Sequence, residues 1–309
     1  MPAPPDTVPW VPPLPFSHNE PAANYLLIDG VLMKDALVAL PRLHGIAEVL
    51  PIYQGTRFEP CNDIGPFLVN IAPYATPEQV LEQIHDWPGN TSLLYSSASS
   101  FALRTHLQSF VSPPMANGLN GLLRFAEPLV THYWLRSYQP WELDAVLGPI
   151  EAWQVLDTPH AWLHDELPQW YRVKRTSSQA VTRPDHNHLG QQQLDTLDQA
   201  ARWRFREQLY AYLQEHFPDH LAQHQGHALT QWFDRCLDAA EQWGLTSRRS
   251  LVTWIEHSLR WGEGFIHRPD SPYQRWLAQT PNALKLTPQQ RIEQMDTDCQ
   301  DIELDKELS

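Results

Sequence analysis

Glycine, basic residues and cysteine are all scarce in this sequence, and each shortage removes a class of function. The 13 glycines among 309 residues are scattered. Neither G-x-G-x-x-G nor G-x-x-x-x-G-K-[ST] occurs, so the Gly-rich backbone cradle for a dinucleotide or nucleoside triphosphate is missing. There is no G-x-S-x-G nucleophile elbow either. Only 22 Lys and Arg stand against 36 Asp and Glu, for a formal charge of −14. Phosphate binding needs clustered cations, which argues against nucleic acid and anionic lipid as partners. The acidity suits a basic protein partner, though ordinary solubility accounts for it as well. Cys61, Cys236 and Cys299 are isolated. With no C-x-x-C there is neither a zinc knuckle nor a redox motif, and the sparse, odd count fits a reducing compartment. No apolar run approaches the roughly 18 residues of a membrane span. The opening Met-Pro-Ala-Pro-Pro lacks the basic and apolar regions of a signal peptide, so a cytoplasmic protein is expected.

Proline and tryptophan are abundant. Seven prolines fall within Met1–Phe16; they remove backbone donors, fix φ and predict an extended arm over residues 1–20. Residues 21–170 alternate short apolar strands with helices. Strands are expected at Asn24–Gly30, Ala47–Tyr53, Gly65–Ile71, Thr91–Ser96 and Gly121–Phe125. A helix runs through Leu37 and Leu40 to Pro41, and a second from Thr76-Pro77 to Trp87. A third covers Ser99–Phe110, and a fourth opens at Glu127-Pro128. The alternation predicts a mixed α/β lobe, of the α+β or α/β class. Residues 171–193 are polar and read as a linker. From 194 to 295 the period is helical throughout: Leu194–Leu213, Leu229–Trp243 closed by Gly244, a helix capped by Thr246 or Ser247 and closed by Gly262, then Pro272–Thr280 and Pro288–Met295. Residues 296–309 form an acidic tail expected to fray. The fold class is therefore an α/β lobe followed by an all-helical lobe.

The polar residues do not assemble into a recognisable catalytic set. Ser96, Ser97, Ser99 and Ser100 end a strand and cap a helix more readily than they supply a nucleophile, which needs an adjacent base and an oxyanion site. His160 and His164 have the i, i+4 spacing of a zincin helix but lack its glutamate. His216, His220 and His224 repeat every four residues, with His227 close behind, but Pro218 interrupts them and the surroundings are polar. His186 and His188 fall in the linker. Asp165 and Glu166 are adjacent and point to different sides of their element, and Glu127 and Glu151 sit in separate elements, so no carboxylate pair is assigned, although a pair at glycosidase separation stays open. No catalytic, cofactor-binding or metal-binding residue is assigned, and the chain is expected not to be an enzyme. The 13 tryptophans point to protein binding, since Trp is enriched at binding hot spots, although aromatics at helical spacing also build cores.

The order of motifs resembles the type VI secretion effector adaptors, the Tap or Tec chaperones. The carrying residues are Tyr25-Leu26-Leu27-Ile28-Asp29-Gly30, Tyr53-Gln54-Gly55-Thr56, Gly65-Pro66-Phe67-Leu68-Val69, Ser96-Ser97 with Leu103-Arg104-Thr105-His106-Leu107, Leu122-Leu123-Arg124-Phe125 with Glu127-Pro128, and Gly148-Pro149-Ile150 with Trp153. Gly244-Leu245 and Trp261-Gly262-Glu263-Gly264-Phe265 extend the similarity into the helical half. Glu127 stands where the family commonly has aspartate. The resemblance implies a cytoplasmic loader in a Gram-negative bacterium. It would bind a cognate toxic effector and deliver it to the VgrG spike. Arg104, His106 and Arg124 match its motif positions, and Arg104 or Arg124 is expected to pair with Glu127 or Asp29. Trp254, Trp261 and Phe265 are expected to be exposed and to grip the effector. Two rival readings remain: a metal-dependent hydrolase using the clustered histidines, which predicts stoichiometric metal, and a structural spike or baseplate component, which predicts stable oligomers.

Overall fold

The computed structural model describes residues 22–84, 87–116, 118–180 and 185–307, except the side chains of Pro88 and residues 300–307. The expected proline-rich arm over residues 1–20 lies outside them. The elements run β1 (Tyr25–Asp29), α1 (Ala36–Ala39), β2 (Ile46–Pro51), β3 (Pro66–Ile71), α2 (Pro77–Leu81), α3 (Trp87–Asn90), β4 (Thr91–Tyr95), α4 (Ser100–Gln108), α5 (Pro128–Arg136), α6 (Pro140–Leu147), β5 (Ala152–Asp157), β6 (Gln169–Lys174), α7 (Gln191–His216), α8 (Pro218–Leu221), α9 (Gly226–Gln242), α10 (Arg248–Trp261), α11 (Pro272–Gln279) and α12 (Pro288–Glu307). The chain packs as two units. One ends at Pro159 and resumes over Glu166–Arg202; the other comprises His160–Asp165 and the chain from Trp203 onward.

The first unit is built on a six-stranded sheet of order β2-β3-β1-β4-β5-β6. Every pairing is antiparallel, so of the two expected classes the unit is α+β. β1 sits centrally and is buried along its whole length. Its residues alternate between two cores, as a strand's side chains must. Tyr25 and Leu27 join Leu103, Leu107, Trp134, Leu135 and Trp153 on one face. Leu26 and Ile28 join Leu40, Phe67, Val69, Val80 and Leu81 on the other. Burial on both faces is why the strand reads as an unbroken apolar run rather than an alternating one.

Local chemistry sets several helix starts. Thr76 accepts from the Gln79 N–H in a capping box with Pro77 in the first turn, Ser99 accepts from the Ala102 N–H, and Ser247 from the Ser250 N–H. Ser96 donates to the Pro149 carbonyl at 2.7 Å, Ser97 to Glu151 and Ser100 to Glu48. The serine run is thus engaged in joining elements.

Four expectations differ from the structure. Gly121–Phe125 is not a strand: Leu123 and Phe125 turn into the core while Leu122 points out, which mimics period two without a neighbouring ladder. The helix expected through Trp87 stops at Leu81, and Trp87 opens the separate short helix α3. The polar stretch taken as a linker begins inside β6, which pairs with β5 from Gln169 to Lys174, and just beyond it Asp144 accepts from both the backbone and hydroxyl of Thr176. The acidic end is helical as far as Glu307, anchored by buried Met295 and Ile292 and by the Trp276 indole donating to Asp298 at 2.7 Å.

The second unit is helical. α9 presents Leu229, Trp232, Phe233, Cys236, Leu237 and Ala240 at helical spacing to one core. Leu251, Trp254, Ile255 and Leu259 of α10 meet it, with Phe265, Trp276, Ile292 and Met295. Trp162, from the short segment that joins this unit, is buried there and donates to Thr230 at 2.9 Å. Among the described residues no helix is long and apolar enough to cross a membrane.

Candidate functional site

The sheet unit contains an apolar cavity of about 150 Å³ at the end of β1. Asp29 ends that strand; Tyr53, Phe58, Cys61 and Ile64 line the cavity from the connection between β2 and β3, and Pro66 from the start of β3. Leu122 to Ala126 complete it. Two glycines permit this close approach. A Cβ on Gly30 would lie 2.2 Å from the Gly65 carbonyl oxygen, to which the Gly30 N–H donates. A Cβ on Gly65 would lie 2.6 Å from the Tyr53 ring that walls the cavity.

A charged network braces one side. Asp29 Oδ1 accepts from the Val31 and Leu32 N–H groups at 2.8 and 3.3 Å, which fixes the turn after β1. Its Oδ2 accepts from Arg124 at 2.8 Å. The same guanidinium reaches Glu127 Oε2 at 3.1 Å. The carboxylate side chains are 5% exposed and Arg124 is 33% exposed. Two nearly buried anions thus share one cation that still faces solvent. The expected ion pair falls to Arg124 and takes both acids together, and the longer Glu127 side chain reaches it. Tyr53 is pushed above the ordinary phenol range by burial and then by the nearby Asp29 carboxylate, so it stays a neutral hydroxyl.

The cavity's mouth is unusually apolar. Val31, Ile64 and Leu122 line it and are 50, 51 and 54% exposed. Leu32 beside Val31 is also exposed. Single exposed apolar residues are commonplace, but a cluster around a concavity marks a binding surface. Its chemistry is to accept an apolar side chain from a partner beside a charged rim.

Of the six partner-binding candidates Arg104, His106, Arg124, Trp254, Trp261 and Phe265, Arg124 alone lines this cavity, joined there by Asp29, Tyr53, Pro66, Leu122, Leu123 and Phe125 of the adaptor-like motifs. Arg104 projects from α4 to Gln54 at 3.4 Å. His106 is a half-buried residue packed inside the same unit: its Nε2 meets the Val146 carbonyl at 2.9 Å, its ring stacks on His186 at 5.2 Å, and it packs so tightly under Gly148 that a Cβ there would lie 2.5 Å from it. Burial lowers its pKa to about 4; the hydrogen bond to Val146 opposes this and His186 adds to it. His106 is therefore neutral in the fold but protonates below about 6.5 in the unfolded chain. The unfolded state then binds the extra proton, so stability falls as pH drops from about 6.5 towards 4, at up to about 1.4 kcal/mol per pH unit. His106→Gln, whose amide can still donate to Val146, is expected to flatten that slope in denaturant titrations at several pH values; an unchanged slope would show that His106 does not carry it.

The aromatic candidates are corrected. Trp254 is 2% exposed and Phe265 fully buried, and both belong to the core of the helical unit, with Trp261 packed half-buried against it. Their spacing identified one helix face, but the helices packed around α10 and the Phe265 turn close over that face. The histidine runs do not converge either. His160 is buried, bonded to Glu207 at 2.6 Å and stacked between Trp162 and Trp203, whereas His164 is exposed. α7 ends at His216, and His220 and His227 are exposed. The cavity itself was missed because exposure is not legible in sequence: Val31 and Ile64 sit in irregular segments and Leu122 in a stretch that reads as a strand, and apolar residues beside Asp29-Gly30 and Gly121 were the available signal.

Residues 24–145, which include every residue lining the cavity, match the model of a family described as a domain of unknown function (DUF4123). That family is associated with effector adaptors of type VI secretion in general. The match ends within α6, before β5, β6 and the helical unit. No curated protein and no solved structure matches the chain.

Proposed function

We propose that the protein is a type VI secretion effector adaptor. It acts as a non-catalytic carrier in the cytoplasm, binding a cognate toxic effector and presenting it to the VgrG spike. The observation that carries this reading is the apolar cavity with its half-exposed mouth of Val31, Ile64 and Leu122, lying wholly within the residues that match the adaptor-associated family. In this reading an apolar side chain of the effector enters the cavity, and Arg124 fixes the orientation of the segment that bears it. Apolar burial supplies the affinity and the charged rim the register.

The experiment co-expresses the untagged protein with candidate toxin and VgrG spike proteins from the same genome and follows complexes by size-exclusion chromatography. A one-to-one complex with the toxin is expected; a stable self-oligomer with no toxin affinity would favour a structural part of the secretion machine. Replacing Val31, Ile64 and Leu122 together by serine is expected to weaken toxin binding at least tenfold, about 1.4 kcal/mol or more. The melting temperature should hardly change, since these side chains are already half in water. Full-strength binding by the triple variant would place the effector surface elsewhere.

A further inference from the structure

The helical unit also holds a cluster that the adaptor reading leaves unused. His257 lies on the inner face of α10, its side chain 1% exposed. The Trp261 indole lies flat against its ring, with centroids 4.1 Å apart and planes 4° apart, and Phe265 packs edge-on at 5.9 Å. Among the described residues neither ring nitrogen makes a hydrogen bond. Nε2 faces Asp296 Oδ1 of α12 at 3.2 Å without the alignment a hydrogen bond requires. The Glu256 carboxylate reaches the same spot: ligand atoms of Glu256, His257 and Asp296 all lie within 4.8 Å of one another. Tyr212 of α7 donates to Glu256 Oε2 at 3.2 Å, and Arg260 stands 3.5 Å from Oε1. Burial, then Glu256 and Asp296, push the Tyr212 phenol up to about 12, as expected beside a concentration of negative charge.

A buried imidazole with neither nitrogen bonded costs roughly 1–3 kcal/mol, and two converging carboxylates repel. A cation held between them would relieve both. We propose that Glu256, His257 and Asp296 bind one divalent transition-metal ion, Zn²⁺ or a close neighbour, and thereby tie α12 to α10. One imidazole nitrogen and two carboxylate oxygens suit zinc-class ions better than Ca²⁺ or Mg²⁺, which prefer all-oxygen shells. Ligand atoms about a tetrahedral zinc ion sit about 3.4 Å apart, so the carboxylates close in by small side-chain rotations. Tyr212 orients Glu256 from outside the coordination shell, water fills the fourth position, and Arg260 offsets part of the remaining negative charge.

The test uses untagged full-length protein stripped with a chelator and then titrated with Zn²⁺ by calorimetry and thermal denaturation. One equivalent is expected to bind below about 1 μM and raise the melting temperature. Glu256→Gln and Asp296→Asn, singly and together, alter side chains that still touch solvent, 13 and 16% exposed. Each should weaken Zn²⁺ binding at least tenfold, and the pair should abolish it. His220→Ala, at an exposed site in the interrupted histidine run, should bind normally. Co²⁺ loaded into the wild-type protein gives a reading that needs no variant: a spectrum without the thiolate charge-transfer band is expected. The proposal fails if no Zn²⁺ binds at 100 μM, if the double variant binds as wild type does, if Mg²⁺ or Ca²⁺ binds as tightly as Zn²⁺, or if Co²⁺ shows a cysteine ligand.

Discussion

Trp254→Ala is expected to destabilise the helical unit by about 3–5 kcal/mol, the range for truncating a buried aromatic. The indole packs against Trp243 at 5.3 Å and Phe265 at 5.0 Å, and at 2% exposure it leaves a void rather than a solvated notch. Phe265→Ala should cost a similar amount, since that ring also touches His257, Trp261 and Tyr273. Domains are stable by roughly 5–15 kcal/mol, so either change removes a large share. Denaturant titration followed by tryptophan fluorescence measures the loss. Had these rings been an exposed grip for a partner, as the surplus of tryptophan and the adaptor resemblance suggested, the melting temperature would hardly move and only binding would fall. Near-native stability in both variants would therefore overturn their assignment to the core.

Arg124→Ala is expected to cost the sheet unit about 3 kcal/mol. Removing one member of a buried pair typically costs ~3–5 kcal/mol, and the lower end applies because the guanidinium is one-third exposed. The loss arises less from the vanished attraction than from Asp29 and Glu127, which stay desolvated without the cation they share. Arg124→Lys should restore only part, because a single ammonium cannot copy the fork that spans both acids. A double-mutant cycle with Asp29→Asn should give a coupling energy of about 1–3 kcal/mol; a coupling near zero would show that the 2.8 Å contact contributes nothing. Partner affinity should fall with Arg124→Ala as well, because the residue lines the cavity. The serine triple variant separates the two effects, since it leaves the ion network intact.

Much of the scaffold was legible from local chemistry. β1, β3 and β4 are short apolar runs ended by turns, and they form the middle of the sheet. Thr76, Ser99 and Ser247 each cap the helix they precede. Arg124 was one of two cations expected to meet Asp29 or Glu127, and it meets both. Legibility failed where an element's identity depends on its neighbours. β6 mixes polar and apolar residues because it is an edge strand with a single partner, and such a strand reads like a linker. Gly121–Phe125 is a short apolar stretch that reads like a strand but has no ladder to join.

By itself, then, the sequence determined what short-range forces decide: where helices begin, where glycines stop them, which segments are apolar enough to be central strands, and which charges are worth pairing. Only the tertiary structure decided which apolar side chains stay in water. It closed over Trp254 and Phe265, left Val31, Ile64 and Leu122 at a cavity mouth, and brought Asp296 beside the adjacent Glu256 and His257. Exposure is set by everything that packs against a residue, and those neighbours come from distant parts of the chain, so no local pattern records it.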